Sequence, residues 1–140
     1  MERSLARQPV IIEKDLSYKI VQAAFEVHNQ LGPGFQEAIY EKAFIHELGL
    51  RGIPFESQRR IPVLFKGTPV GEYILDLVVE DRIIVELKAV SEILDVHKGQ
   101  ALAYLKATGL ALAIVINFGA SKLQYNRVIL TTRNHSLEKT

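Results

Sequence analysis

The stretch Tyr73-Ile74-Leu75-Asp76-Leu77-Val78-Val79-Glu80-Asp81-Arg82-Ile83-Ile84-Val85-Glu86-Leu87-Lys88 decides the fold. Two apolar runs flank a short polar turn, the pattern of adjacent antiparallel strands. Successive side chains alternate, so Ile83, Val85 and Leu87 share one face and Ile84, Glu86 and Lys88 the other. Each run carries an acid, Asp76 and Glu86, although charged groups are rarely buried unless paired. Loop length then sets the geometry. A two-residue loop pairs Val79 with Arg82 and puts the acids on opposite faces. A three-residue loop, Glu80-Asp81-Arg82, pairs Val79 with Ile83 and sets Asp76 across from Glu86. We expect the second register.

Outward from this pair, period-two texture predicts strands over 54–65, 69–79 and 82–88. Upstream, helical spacing of Ile20, Val21, Ala24, Phe25 and His28 predicts a helix from an N-cap at Ser17 to Gln30, stopped by Leu31-Gly32-Pro33-Gly34. A second helix is expected just after Gly34, with Ile39, Tyr40, Ala43, Phe44 and Leu48 inward and Gly49 at its end. Downstream, a helix over 93–107 with Leu94, Ala101, Leu102 and Leu105 as its core side ends at Gly109. The run Leu110-Ala111-Leu112-Ala113-Ile114-Val115-Ile116 reads as a central strand covered on both faces, and a last strand is expected over 122–130. The order α-α-β-β-β-α-β-β predicts one α/β domain, a mixed β-sheet flanked by helices, with a parallel connection through the crossover helix. Residues 1–15 read as an N-terminal arm, 16–130 as the domain and 131–140 as a C-terminal tail.

Composition bounds the chemistry. The chain has 140 residues, 48% hydrophobic and 24% charged, with no cysteine. Disulfides, cysteine-ligated metals and cysteine nucleophiles are thereby excluded. Seventeen Lys and Arg against sixteen Asp and Glu leave a net charge of +1, unlike a protein that coats nucleic acid non-specifically. A local basic cluster exists at Arg51, Arg59, Arg60 and Lys66, with only Glu56 opposing it. The N-terminus has no apolar core of signal-peptide length and no apolar run reaches about 18 residues, so a cytoplasmic protein with no membrane span is expected.

Several machineries are absent. Gly32-Pro33-Gly34 lacks the glycine at 37 that a dinucleotide fingerprint needs, and no Gly-Lys-Ser/Thr follows. There is no Gly-x-Ser-x-Gly elbow. His28, His46, His97 and His135 form no i,i+4 metal pair and read as structural or surface residues. The remaining candidates are carboxylates. Asp76, Glu86 and Lys88 read either as the solvent face of a half-exposed sheet or as a catalytic set. Two acids on adjacent strands can hold one divalent cation between their oxygens. The cation would lower the pKa of a bound water, and a lysine on the same face would place that water or stabilise developing charge, which suits phosphodiester hydrolysis. Glu37, as the third residue of a helix capped at Gly34, is explained by capping and the helix dipole. Gln100 and Tyr104, spaced i,i+4 on a stripe with His97, read equally as a solvent face.

Taken together these residues resemble a family. Gly34-Phe35-Gln36-Glu37-Ala38-Ile39-Tyr40 is similar to the Gly-x-x-Glu-x-x-Tyr signature of the GxxExxY proteins, of the PD-(D/E)XK nuclease-like superfamily. The resemblance continues through Asp76, Glu86-Leu87-Lys88, Gln100-Ala101-Leu102-Ala103-Tyr104-Leu105-Lys106 and Ile116-Asn117-Phe118-Gly119, over about residues 17–130. Leu75 stands where the name-giving proline would be. The resemblance implies a restriction-endonuclease-like α-β-β-β-α-β core with Asp76 and Glu86 as metal ligands and Lys88 as catalytic lysine. It also implies Glu37 as the acid from the first core helix, and Gln100 with Tyr104 as a Gln-x-x-x-Tyr element. The expected function is metal-dependent hydrolysis of DNA or RNA phosphodiesters with Mg2+ or Mn2+, since the donors are all oxygens. Arg59, Arg60 and Lys66 are the candidate nucleic-acid contacts. The alternative is a non-catalytic nuclease-fold binding or scaffold module acting with a protein partner, and a homodimer stays open.

Overall fold

A computed structural model describes residues 12–130; the tail, His135 and most of the arm lie outside the described residues. The elements are α1 (Lys14–Leu31), α2 (Glu37–Leu50), β1 (Phe55–Phe65), β2 (Thr68–Val79), β3 (Ile83–Lys88), α3 (Asp95–Thr108), β4 (Leu112–Asn117) and β5 (Gln124–Ile129). The predicted order is therefore observed. The five strands lie in the order β1-β2-β3-β4-β5. Neighbours are antiparallel except β3 and β4, which are parallel and joined through α3. Ile20, Ala24, Tyr40, Phe44 and Leu48 from α1 and α2 cover one face of the sheet, against Leu77, Val79, Ile83, Val85 and Leu87. Ala101, Tyr104 and Leu105 of α3 cover the other, against Leu75, Val78, Ile84, Ala113 and Val115. Every residue of β4 is buried, as an apolar central strand requires.

The helix starts differ from expectation, each for a tertiary reason. α1 begins at Lys14, inside the expected arm, after Glu13 rather than Ser17. Ser17 is buried within the helix, where its hydroxyl accepts a hydrogen bond from Arg127 of β5, so the oxygen that would have capped the helix ties it to the sheet instead. α2 begins at Glu37, after Gln36 rather than Gly34. Gly34 has φ 112°, a conformation open to glycine, and extends the loop. The Tyr40 hydroxyl holds that loop, donating to the Gly32 carbonyl and accepting the Phe35 N–H at 3.2 Å. The Tyr40 ring stacks on Phe118 at 4.9 Å and 7°. Glu37 is thus the first residue of the helix, not the third. Ile39 is exposed, while Tyr40, Phe44 and Leu48 form the buried i,i+4 stripe with Ala43 and Ile45 packed beside it. Gly49 lies inside α2, which ends one residue later.

On α3, Leu94 is the exposed N-cap residue rather than a core residue, and Leu102 is only half-buried. Leu105 is fully buried. We therefore expect Leu105→Ala to cost about 2–5 kcal/mol, the range of packed core truncations, and Leu102→Ala distinctly less. Urea unfolding of the two variants checks the ranking, and equal losses would contradict this packing.

The strand pair that sets the fold takes the expected register, Val79↔Ile83 and Leu77↔Val85, closing the three-residue loop. Glu80 and Asp81 reach it with positive φ of 50° and 56°. At Asp76 the alternation breaks. Leu77 and Val79 pack toward α1 and α2, yet Leu75 joins Val78 on the α3 side, an odd spacing that a regular strand forbids. Gln58, which β1 sets opposite Asp76 between paired Ser57 and Arg59, has φ 54°. β2–β3 backbone pairing stops at Leu77↔Val85, so β2 leaves β3 at the residue that carries the acid.

Candidate active site

Where β2 and β3 part, side chains replace the ladder. The Asp76 N–H donates to Glu86 Oε2 at 2.9 Å, and the Leu87 N–H donates to Asp76 Oδ2 at 2.9 Å. Each carboxylate is thus braced by a backbone amide of the other strand, and the two side chains lie within hydrogen-bonding reach of each other. Glu86 is 4% exposed. Its pKa is pushed up to about 8, first by burial and then by the Asp76 charge, against the opposing pull of the Asp76 N–H and of Lys88. Asp76 is also raised, by burial, with the Leu87 N–H, Lys88 and the bond to Glu86 holding it down. Like charges this close do not both ionise readily, so at neutral pH the pair retains a proton.

The surrounding residues come from β3 itself, from the helix α3 and from the start of α2. Lys88, two residues beyond Glu86 on the same strand, donates to Gln100 Oε1 at 3.2 Å. Gln100 also hydrogen-bonds the Tyr104 hydroxyl, whose pKa is pushed up to about 12 by burial and by the charges of Glu86 and Asp76. Tyr104 therefore stays a neutral hydroxyl. Glu37, at the solvent-exposed start of α2, is raised first by partial desolvation and then by Asp76, with Lys88 pulling the other way. The structure thus gathers Glu37, Asp76, Glu86, Lys88, Gln100 and Tyr104.

The basic candidates are placed differently. Arg59 and Arg60 are consecutive in β1 and so face opposite sides. Arg59 pairs with Asp81 at 2.6 Å and Arg60 with Glu72 at 2.7 Å, while Lys66 sits at the turn joining β1 and β2. The three do not form one patch beside the acids.

Residues with no role assigned from sequence hold the site in shape. Asn117, fully buried at the end of β4, accepts the Val90 and Gly119 N–H groups through Oδ1 at 2.9 and 3.0 Å. Its Nδ2 donates to the Val90 carbonyl and to Gln124 Oε1. Gln124 Oε1 also accepts the Ile93 N–H. Together they clamp the segment between Lys88 and α3, and so set Lys88 against Gln100. The signal was a lone amide ending an apolar strand. His97 caps α3 by accepting the Leu94 N–H, and His28 bonds the Ala120 carbonyl at 2.9 Å. At Gly119 an added Cβ would lie 2.4 Å from the Val90 carbonyl oxygen. Gly119→Ala must push backbone apart, and we expect it to lower stability by about 1–3 kcal/mol or more, read as a lower urea midpoint. An unchanged midpoint would contradict this close approach.

Among the described residues no group of three His, Cys, Asp or Glu side chains is gathered closely enough to hold a metal ion. What the site offers is two braced carboxylates that strain against their own charge. That donor set fits a hard cation such as Mg2+, which commonly keeps several waters and takes one or two carboxylates together with substrate phosphate. Among the described residues no helix is long and apolar enough to cross a membrane.

A mixed sheet that brings one acid from each of two adjacent strands together, with a lysine two residues past the second, defines a nuclease-like α/β domain. The chain belongs to the PD-(D/E)XK nuclease superfamily, whose family model matches residues 14–128. No curated protein and no solved structure matches it. Leu75, next to Asp76, is fully buried and packed under α3.

Proposed function

We propose that this protein is a metal-dependent, cytoplasmic nuclease that hydrolyses phosphodiester bonds of DNA or RNA, of the GxxExxY type. The observation that carries this reading is the reciprocal brace of Asp76 and Glu86 beside Lys88. A scaffold gains nothing from holding two acids together at the cost of a raised pKa, whereas a perturbed acid pair beside a cationic side chain is what hydrolytic chemistry uses. Asp76 and Glu86 would hold Mg2+ or Mn2+. Such a cation, when bound, withdraws charge from phosphate and acidifies a bound water.

The chain's own groups have distinct tasks. Lys88, oriented by Gln100, meets negative charge developing on the phosphate. Tyr104 stays protonated and fixes Gln100, so it acts on Lys88 at one remove. Glu37, with its raised pKa and exposed position, is placed to exchange a proton with water or the leaving group. Arg59, Arg60 and Lys66 would meet the nucleic acid further out.

The test is incubation with single- and double-stranded DNA and RNA, with manganese and with chelator. Cutting that requires manganese and disappears in Asp76→Asn and Lys88→Met is expected. Binding without cutting of any substrate would assign the chain to the non-catalytic class, acting with a protein partner.

A further inference from the structure

β3 ends at Lys88, while β2, paired with it through Leu77↔Val85, extends back to Thr68. The β1–β2 hairpin therefore continues past the acids. Its base packs on α3 through Ile61 and Tyr73. Beyond that base the tip is open to solvent, with Leu64, Phe65 and Val70 59%, 62% and 60% exposed and Leu64 at the edge of a groove that Tyr73, Ala103 and Ala107 also line. Lys66 and Gly67, with φ 49° and 80°, make a tight two-residue turn between paired Phe65 and Thr68.

Leu64 and Phe65 are consecutive and project to opposite faces. A flat partner surface would cover only one of them, whereas insertion between two flat apolar surfaces covers both. From Ile61 to Gly71 the single charged residue is Lys66, whose ammonium lies 5.5 Å from the Phe65 ring centre. Pro62 and Pro69 remove backbone donors near the tip, which opposes the addition of a further strand there. The tip thus has the shape and charge of a base-stack wedge carrying one phosphate contact.

Resting on the nuclease reading above, we propose that the hairpin tip inserts Leu64 and Phe65 into the base stack of the nucleic-acid substrate, with Lys66 meeting a phosphate. Apolar side chains inserted between base steps unstack them, and an aromatic ring stacks on any base. Asp76 lies nine positions after Gly67, at most about 30 Å of strand. The wedge therefore acts within about nine base steps of the cleaved bond, at 3.4 Å per step. It favours substrates whose stacking is already broken, such as a bulge.

The experiment uses the full chain in chelator, with DNA and RNA duplexes, plain or bulged, carrying 2-aminopurine beside the bulge. Binding is expected to brighten 2-aminopurine. Leu64→Ser/Phe65→Ser should abolish that rise and weaken binding about five- to hundred-fold, while Phe65→Trp keeps both. Both residues are exposed, so melting should match the parent, and Phe65→Ala alone carries the test if the double variant melts early. Tip variants that bind and unstack like the parent would overturn the wedge and leave the nuclease reading standing. A parent chain that neither binds nor cuts nucleic acid would overturn both. A dimer in light scattering that dissociates in the tip variant would give the tip to a second copy and also overturn the wedge.

Discussion

Glu86→Gln is expected to stabilise the metal-free protein, and by more as pH rises from about 5 to 8. In the folded state burial and the Asp76 charge push the Glu86 carboxyl up to about 8 from an ordinary 4.5. Below the ordinary value both folded and unfolded chains are protonated, and glutamate costs nothing relative to glutamine. Between the two values the unfolded chain has lost its proton while the folded chain keeps it. Each pH unit in that window removes about 1.4 kcal/mol of folding stability, and above the folded value the loss levels off. The full effect is several kcal/mol, on the order of 5, shared with Asp76 because the pair titrates together. Glutamine avoids it. Its carbonyl still accepts the Asp76 N–H, and its amide can donate to the Asp76 carboxylate as the protonated acid does. Urea unfolding of both proteins in chelator across this range measures the difference. Parallel curves would show that burial does not hold the proton on this pair.

A divalent cation should relieve the same strain. Manganese at tenfold excess over its dissociation constant is expected to add about 1.4 kcal/mol to stability, because it binds only the folded site. For this size of domain that is a melting shift of about 3–6 °C. Sodium at matched ionic strength should give none, and Asp76→Ala should abolish the shift. Lys88→Ala should keep it, since removing a positive charge does not remove a ligand. The cation must displace the shared proton, so at a fixed manganese concentration the shift should grow as pH rises toward 8. A manganese shift that survives in Asp76→Ala/Glu86→Ala would place the ion elsewhere and refute the site.

What was legible in the sequence rests on local rules. Alternation placed Glu86 and Lys88 on one face of β3, the length of Glu80-Asp81-Arg82 set the register, and the apolar run before Asn117 marked a strand buried on both sides. These depend on neighbours in the chain, and the structure agrees with them. The family's fold followed from their order.

What only the tertiary structure decided depends on partners far along the chain. Ser17 has the side chain of an N-cap, but Arg127, more than a hundred residues away, claims its hydroxyl. Gly34 stands where a helix could begin, but Tyr40 closes the loop first and moves Glu37 to the helix start. Leu75 should lie with Leu77, yet the strand breaks step at Asp76, where amides of β2 and β3 turn to carboxylates instead of carbonyls. Periodicity can place two acids opposite each other. Whether they brace, bury and share a proton depends on where two strands separate, and separation is a property of the packed sheet and the helices on its two faces.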